Sequence, residues 1–289
     1  MSASSKVGGQ AVIEGVMMRH MNRMAIAVRK PDREIFIHQE ILFPAGQKYP
    51  LLKLPVLRGM VAFVEALIIG ARSLTISANQ ALPEEEEELT GWQMTLTILA
   101  SLALGFSLFF FLPTVLVRLL AGNVTAQPLF LNLLEGGVRI TIFLSYIIII
   151  SRFGDIQRVF QYHGAEHKVI SCYEAGEELT VENARKYSSL HSRCGTSFML
   201  LVMAVSILLF SFFGWPGLVQ RLLLRLSLLP LVAGISYEII QLAGRYRFFC
   251  YLTAPGLWLQ RLTTSEPDDR QLEVAVRALQ TVLRQEVEV

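Results

Sequence analysis

From Trp92 to Val117 the chain carries no charged side chain, and its centre reads LASLALGFSLFFFLPTVLV. A bilayer core about 30 Å thick needs roughly 20 apolar residues in a helix to cross it. Hydrocarbon offers no hydrogen bonds, so a spanning backbone must satisfy its own groups, as a helix or a closed barrel does. The segment is therefore read as a spanning helix, kinked near one end by Pro113. Three further runs qualify: about Val138 to Ser151 (containing FLSYIIIIS), Phe198 to about Trp215, and about Leu226 to Ala243. The second is short unless it begins near Leu129, which would bring Glu135 and Arg139 to the interface. The last contains Pro230 and ends beside Glu238. Composition agrees, with 53% hydrophobic and 17% charged residues against the roughly 25% charge of a soluble domain. The expected fold is mainly α: a polytopic helical membrane protein with about four transmembrane helices and a small N-terminal β-hairpin element. A net charge of +2 is too small to suggest a nucleic-acid partner.

Orientation follows from the basic residues. Of 26 lysines and arginines, ten fall in residues 1–91, six in the loop 152–197 and six in residues 245–289. Only Arg118, Arg139, Arg221 and Arg225 lie in or beside the other two connections. The positive-inside tendency then puts both termini and the 152–197 loop in the cytoplasm. Residues 1–30 lack a continuous apolar core, so no secretory signal peptide is expected. Three parts result: a cytoplasmic N-terminal segment 1–91, a transmembrane domain 92–244 bearing the 152–197 loop, and a cytoplasmic C-terminal segment 245–289. The three cysteines form no disulfide pattern and suit a reducing compartment.

Outside the spans, MAIAVRKPDREIFIHQEIL alternates apolar and polar residues on both sides of Lys30-Pro31-Asp32-Arg33, the pattern of a β-hairpin. From Val56 to Ala78 a helical pattern places Arg58, Glu65 and Arg72 seven apart on one stripe. We read it as a half-buried interfacial helix rather than a fifth span. Glu84 to Glu88 are five consecutive glutamates, read as a solvated linker. The C-terminal helix is expected to be capped by Thr264 or Ser265, with Pro267 and two aspartates in its first turn. Its Leu272, Val276, Leu279 and Leu283 form one apolar face, expected to dock within the chain.

Chemistry gathers in the central loop. HGAEH puts two of the chain's five histidines, His163 and His167, one helical turn apart. Side chains so spaced overlie one another and can grip one metal ion. H-x-x-E-H is also the inverted zinc-peptidase pattern, which would make Glu166 the general base. If the preceding span runs on as one helix, both histidines and Glu166 share a protein-facing stripe with Phe160 and Ile170. Downstream, His191 and Cys194 stand just before the third span, after a short helix capped by Thr180 (TVENARKYSSL). His191 is the favoured third ligand, with Cys194 or Glu14 as substitutes. The bland counterpart is a polar knot, with the histidines hydrogen-bonded to Glu166, Glu174 or backbone carbonyls. Cys194 near a helix start, where a thiolate is favoured, is also a candidate nucleophile. Cys172 and Cys250 are read as packing residues. Glu14, in AVIEGVMMR, has an exposed turn position as its alternative. Glu238 is an intramembrane carboxylate whose bland role is pairing with Arg139 or Arg245.

The blocks GGQAVIEGVMMR, YHGAEHKVISCYEAG, HSRCGTSF, AGISYEII and PGLWLQRLTTSEPDD, followed by LEVAVRAL, resemble the YqhQ-like family of bacterial membrane proteins, a group of unknown function. They extend from Gly8 to about Leu279. The resemblance implies a metal-dependent enzyme of the bacterial cytoplasmic (inner) membrane, with no activity or substrate attached. The expected function is a membrane-embedded hydrolase using a divalent metal, zinc first, at the cytoplasmic surface. Its partners are the lipid bilayer and a substrate or membrane-associated protein, and a homo-oligomer is compatible with the sequence. A non-catalytic scaffold or assembly factor competes with this reading. A small transporter is third, supported by Glu238 and the proline-interrupted spans.

Overall fold

The computed structural model describes residues 7–83, 90–121, 127–191, 194–243 and 250–284. Four strands come first: β1 (Val7–Val12), β2 (Gly15–His20), β3 (Arg23–Arg29) and β4 (Ile35–Ile41). They form an antiparallel meander in sequence order. Its tight turns place Glu14, Met21 and Arg33 at positive φ, the backbone twist that short hairpins demand. The expected hairpin is thus β3–β4, and it is half of a larger sheet. β1 and β2 were illegible as strands because both faces of β2 are covered, which erases the alternation that marks a half-solvated strand.

Helix α1 (Ala45–Lys48) is a single turn, and α2 (Leu57–Ala81) follows. α3 (Gly91–Phe106) and α4 (Leu112–Ala121) are joined through a π turn at Ser107–Phe111 into one long rod. Then come α5 (Pro128–Ile150), α6 (Gly154–Glu174), α7 (Val181–Arg185), α8 (Gly195–Ser211), α9 (Leu218–Ala243), α10 (Cys250–Thr263) and α11 (Asp269–Arg284). Four helical stretches are long and apolar enough to cross a membrane: Leu57–Ala81, Gly91–Leu120, Pro128–Ile150 and Leu218–Ala243. By those helices the protein is a membrane protein, and leucines such as Leu99, Leu102, Leu208 and Leu223 are exposed on the bundle, as lipid contact requires.

The set differs from the expected one at two places. α8 is apolar but only 17 residues long, closing at Phe212 before a turn through Gly214 and Pro216. α2 has the length and composition of a span, yet its contacts lie elsewhere. Its second half covers the sheet through Ile69 and Ile76, and Ser77 accepts from the Ile13 amide. Its first half meets α9, where Arg58 is ion-paired with Glu238. Glu238 therefore takes a partner that the sequence reading did not weigh. The Glu84–Glu88 linker, Arg245 and the Cys250 side chain lie outside the described residues.

The sheet is the centre of a three-layer unit. Val16, Met18, Ala25 and Ala27 point to one face and meet Tyr162, Ala165 and Val169 of α6 and Leu272, Ala275 and Leu279 of α11. Met17, Met24, Ile26 and Val28 point to the other, towards α2. This is the period-two pleat with both faces used. α11 begins later than its sequence suggested. Asp268 Oδ1 accepts from the Gln271 amide at 2.8 Å, and Gln271 Oε1 accepts from the Asp268 amide at 2.9 Å. This reciprocal cap takes the place expected of Thr264 or Ser265.

Candidate metal centre

α6 is a helix of its own, because the chain turns through Ser151 and Phe153 after α5. Phe153 is consequently exposed at its start, while the turn bearing His163 and His167 is buried further along. The two imidazoles overlie one another, with ring centroids 4.4 Å apart. Across from them Cys194 caps α8. Its sulfur stands 3.1 Å from His163 Nε2 and accepts from the Thr196 hydroxyl at 3.3 Å. One donor atom from each of His163, His167 and Cys194 falls within 4.8 Å of the others.

The second nitrogen of each imidazole fixes its tautomer. His163 Nδ1 is 2.8 Å from the Thr263 carbonyl, and His167 Nδ1 is 2.6 Å from the Ser189 carbonyl. A carbonyl only accepts, so both Nδ1 atoms carry a proton, and in the neutral ring each Nε2 then presents its lone pair. This is how metal-bound histidines are oriented. Among the described residues, His167 Nε2 is buried without a hydrogen-bond partner, and such an orphan calls for an explanation. In a tetrahedral zinc site, a nitrogen and a sulfur ligand stand about 3.5 Å apart. The donor set is of the kind that holds a divalent metal, and the His163–Cys194 pair stands near that separation.

A strap of chain between α10 and α11 closes the site from above. The Ser265 amide donates to the Phe160 carbonyl at 2.9 Å, and Lys168 Nζ reaches Glu266 at 2.6 Å. Gly164 makes this crossing feasible, since a Cβ there would run into the Ser265 carbonyl. Gly164→Ala is expected to destabilise the protein by about 1–3 kcal/mol by overpacking. The change is measurable as a lower thermal midpoint and faster proteolysis of the strap.

The other candidates are placed as follows. The His191 ring lies 5.7 Å from that of His167, with Nε2 3.4 Å from Glu174. Its backbone is gripped at both groups by Gln260, each bond 2.9 Å. It flanks the three converging donors. Glu14 lies apart from them, ion-paired with Arg158 and accepting from Tyr162 at 3.4 Å. Glu166 lies against β1: a Cβ on Gly9 would stand 2.9 Å from its carboxyl carbon. Burial pushes its carboxyl up to about 7, against opposing pulls from His163 and the Ala11 amide. Cys172 is buried and its thiol is pushed up by burial, which fits packing. Sequence reasoning missed Ser189, Gln260 and Thr263. The first and last act through carbonyls that any residue carries, and Gln260 alone left a trace, as a polar position in LWLQRL.

Residues 54–285 match the family described as Protein of unknown function (DUF1385). The chain belongs to this family. It is 37% identical, over 302 aligned positions covering 96% of this chain and 92% of the other, to Uncharacterized protein YqhQ of Bacillus subtilis (strain 168). No solved structure matches. The matched span contains the three converging donors, the strap and α11.

Proposed function

We propose that this protein is a metal-dependent hydrolase of the bacterial cytoplasmic membrane, with His163, His167 and Cys194 holding a zinc ion. The observation that carries the reading is the pair of Nδ1–H groups donated to backbone carbonyls, which aims two bare Nε2 atoms at one thiol. Cys194 is the N-cap of α8, which sets its sulfur at the mouth of that helix, facing His163. A zinc ion with three protein ligands keeps an open position and supplies Lewis-acid activation of water. His191, beside His167, is the reserve ligand that would close that position. Glu166 is the proton acceptor, carried on α6 three residues from His163. The distribution of lysine and arginine supports a site and termini on the cytoplasmic side, where a substrate at the membrane surface would reach it.

Elemental analysis of the detergent-purified protein tests this. About one zinc per chain is expected for a site of this kind, and a well-folded protein without metal refutes the reading.

One observation favours a second reading, a non-catalytic scaffold. Glu166 packs on Gly9 and the Ala11 amide, so it also seams α6 to the sheet. Glu166→Gln separates the two. It keeps the shape and removes the base, so a hydrolase loses its role in cells, whereas a scaffold complements fully. Metal retention by the variant shows that the site is intact in either case.

A further inference from the structure

A second group of charges is buried at the opposite end of the bundle, where the proposed chemistry has no use for it. Glu135 lies about 10 Å into α5 at 1.5 Å per residue, and it is wholly buried. Arg139, Arg221 and Arg225 surround it, each 4% exposed or less. Glu135 is 3.0 Å from Arg139 and 3.1 Å from Arg221, and it also pairs with Arg225. Thr114 donates to Glu135 at 2.9 Å and accepts from Arg225 at 2.7 Å.

The charges do not balance. One carboxylate faces three guanidinium groups, an excess of two positive charges. From Trp92 to Ser151, and from Gly195 to Tyr237, Glu135 is the sole acidic residue of the chain. Glu238, just beyond, is taken by Arg58. Among the described residues, Arg139 Nε, Arg221 Nε and Nη2, and Arg225 Nε are buried with no acceptor. Uncompensated charge in a low-dielectric interior is costly enough that intramembrane arginines mark ion or ligand sites. Rings of Trp215, Phe210 and Phe110 lie over the three guanidinium groups and relieve part of that cost, but they supply no acceptor oxygen.

Beside the cluster is a cavity of about 230 Å³, lined by phenylalanines and methionines and ending on Arg139 and Ser206. Met199 forms one wall and is half exposed, so the cavity opens on the bundle surface. Arg139 is the guanidinium group that lines the cavity, so an anion there would take its unused Nε, and an apolar chain attached to it would lie among Phe63, Phe109, Phe143 and Phe198. We propose that this cavity binds an anionic lipid, its phosphate against Arg139 at the edge of the positively charged cluster and its hydrocarbon chain among the cavity's phenylalanines.

Native mass spectrometry of the full-length protein in detergent tests this, using dioleoyl phosphatidic acid, phosphatidylcholine with the same chains, and inorganic phosphate. One phosphatidic acid is expected to stay bound, with at least about tenfold preference over phosphatidylcholine, since charge-assisted bonds to phosphate carry the recognition. Arg139→Gln and Val202→Trp should each weaken retention by about tenfold or more, the first through the anion and the second by filling the cavity. Both leave Glu135 paired with Arg221 and Arg225, and Val202→Trp leaves every charge in place. Equal retention of the two lipids by folded wild type overturns the proposal, as does undiminished retention by both variants. Stabilisation by inorganic phosphate alone, with Val202→Trp silent, overturns the lipid and assigns a free oxyanion instead.

Discussion

The double variant His163→Ala/His167→Ala is expected to lose its metal entirely, falling from about one ion per chain to none, because one thiol cannot hold a divalent cation alone. Single changes grade the effect. Loss of an outer-shell partner typically costs 10–100-fold in metal affinity, and removal of a direct ligand costs more. Cys194→Ser and His167→Ala should therefore each exceed about 100-fold in competition titrations with a chelator of known affinity. Gln260→Leu touches no donor. It frees the His191 backbone, so a modest loss from this variant would mark the loop's position as its sole contribution. His191→Ala decides the coordination number. A drop equal to that of His167→Ala would make His191 a fourth ligand and the site closed and structural. A small drop leaves three ligands and an open position, the arrangement catalysis needs.

Glu135→Ala is expected to be the most damaging single change in the bundle. It strips the carboxylate from three buried guanidinium groups, while the Thr114 hydroxyl keeps the Phe110 carbonyl as its acceptor. Breaking one buried ion pair by deleting a partner costs about 3–5 kcal/mol, and here three pairs go together. The protein should fail to accumulate in membranes, or elute as aggregate after extraction. Replacing all four members with apolar residues of similar volume should restore a folded bundle, since such exchanges are often neutral or stabilising. Rescue of that kind would assign the damage to unbalanced charge rather than to lost packing.

How far the sequence could be read depended on the range of the interaction. His163 and His167 were legible because four residues make one helical turn, and Leu272, Val276 and Leu279 because their spacing draws a stripe. The long apolar runs of α3–α4, α5 and α9 were legible from hydrocarbon thickness alone. Contacts between residues far apart in sequence left no such mark. Glu14 meets Arg158, Glu238 meets Arg58, and Glu135 gathers Arg221 and Arg225. α5 begins at Pro128, the longer form of this span that brings Glu135 and Arg139 towards the interface, and the two are buried together. Local hydropathy cannot reveal a polar core whose members come from separate helices. α2 shows the complementary blind spot. Its composition satisfies a span, while its apolar face serves the sheet and α9.

The sheet also sets an order of events during synthesis. β2 and β3 are made before any of the apolar helices of the bundle, but their covering helix α11 follows the last of them. Until α11 leaves the ribosome, Val16, Met18, Ala25 and Ala27 lack half of their cover. Contacts so far apart in sequence form late, and open strands with bare apolar faces invite wrong pairings. Completion of the sheet layer, and with it the setting of Thr263 and Ser265 over α6, therefore waits for the segment that follows the bundle in the chain. The proposed metal pocket is thus completed only once the C-terminal segment carrying Thr263 has been made.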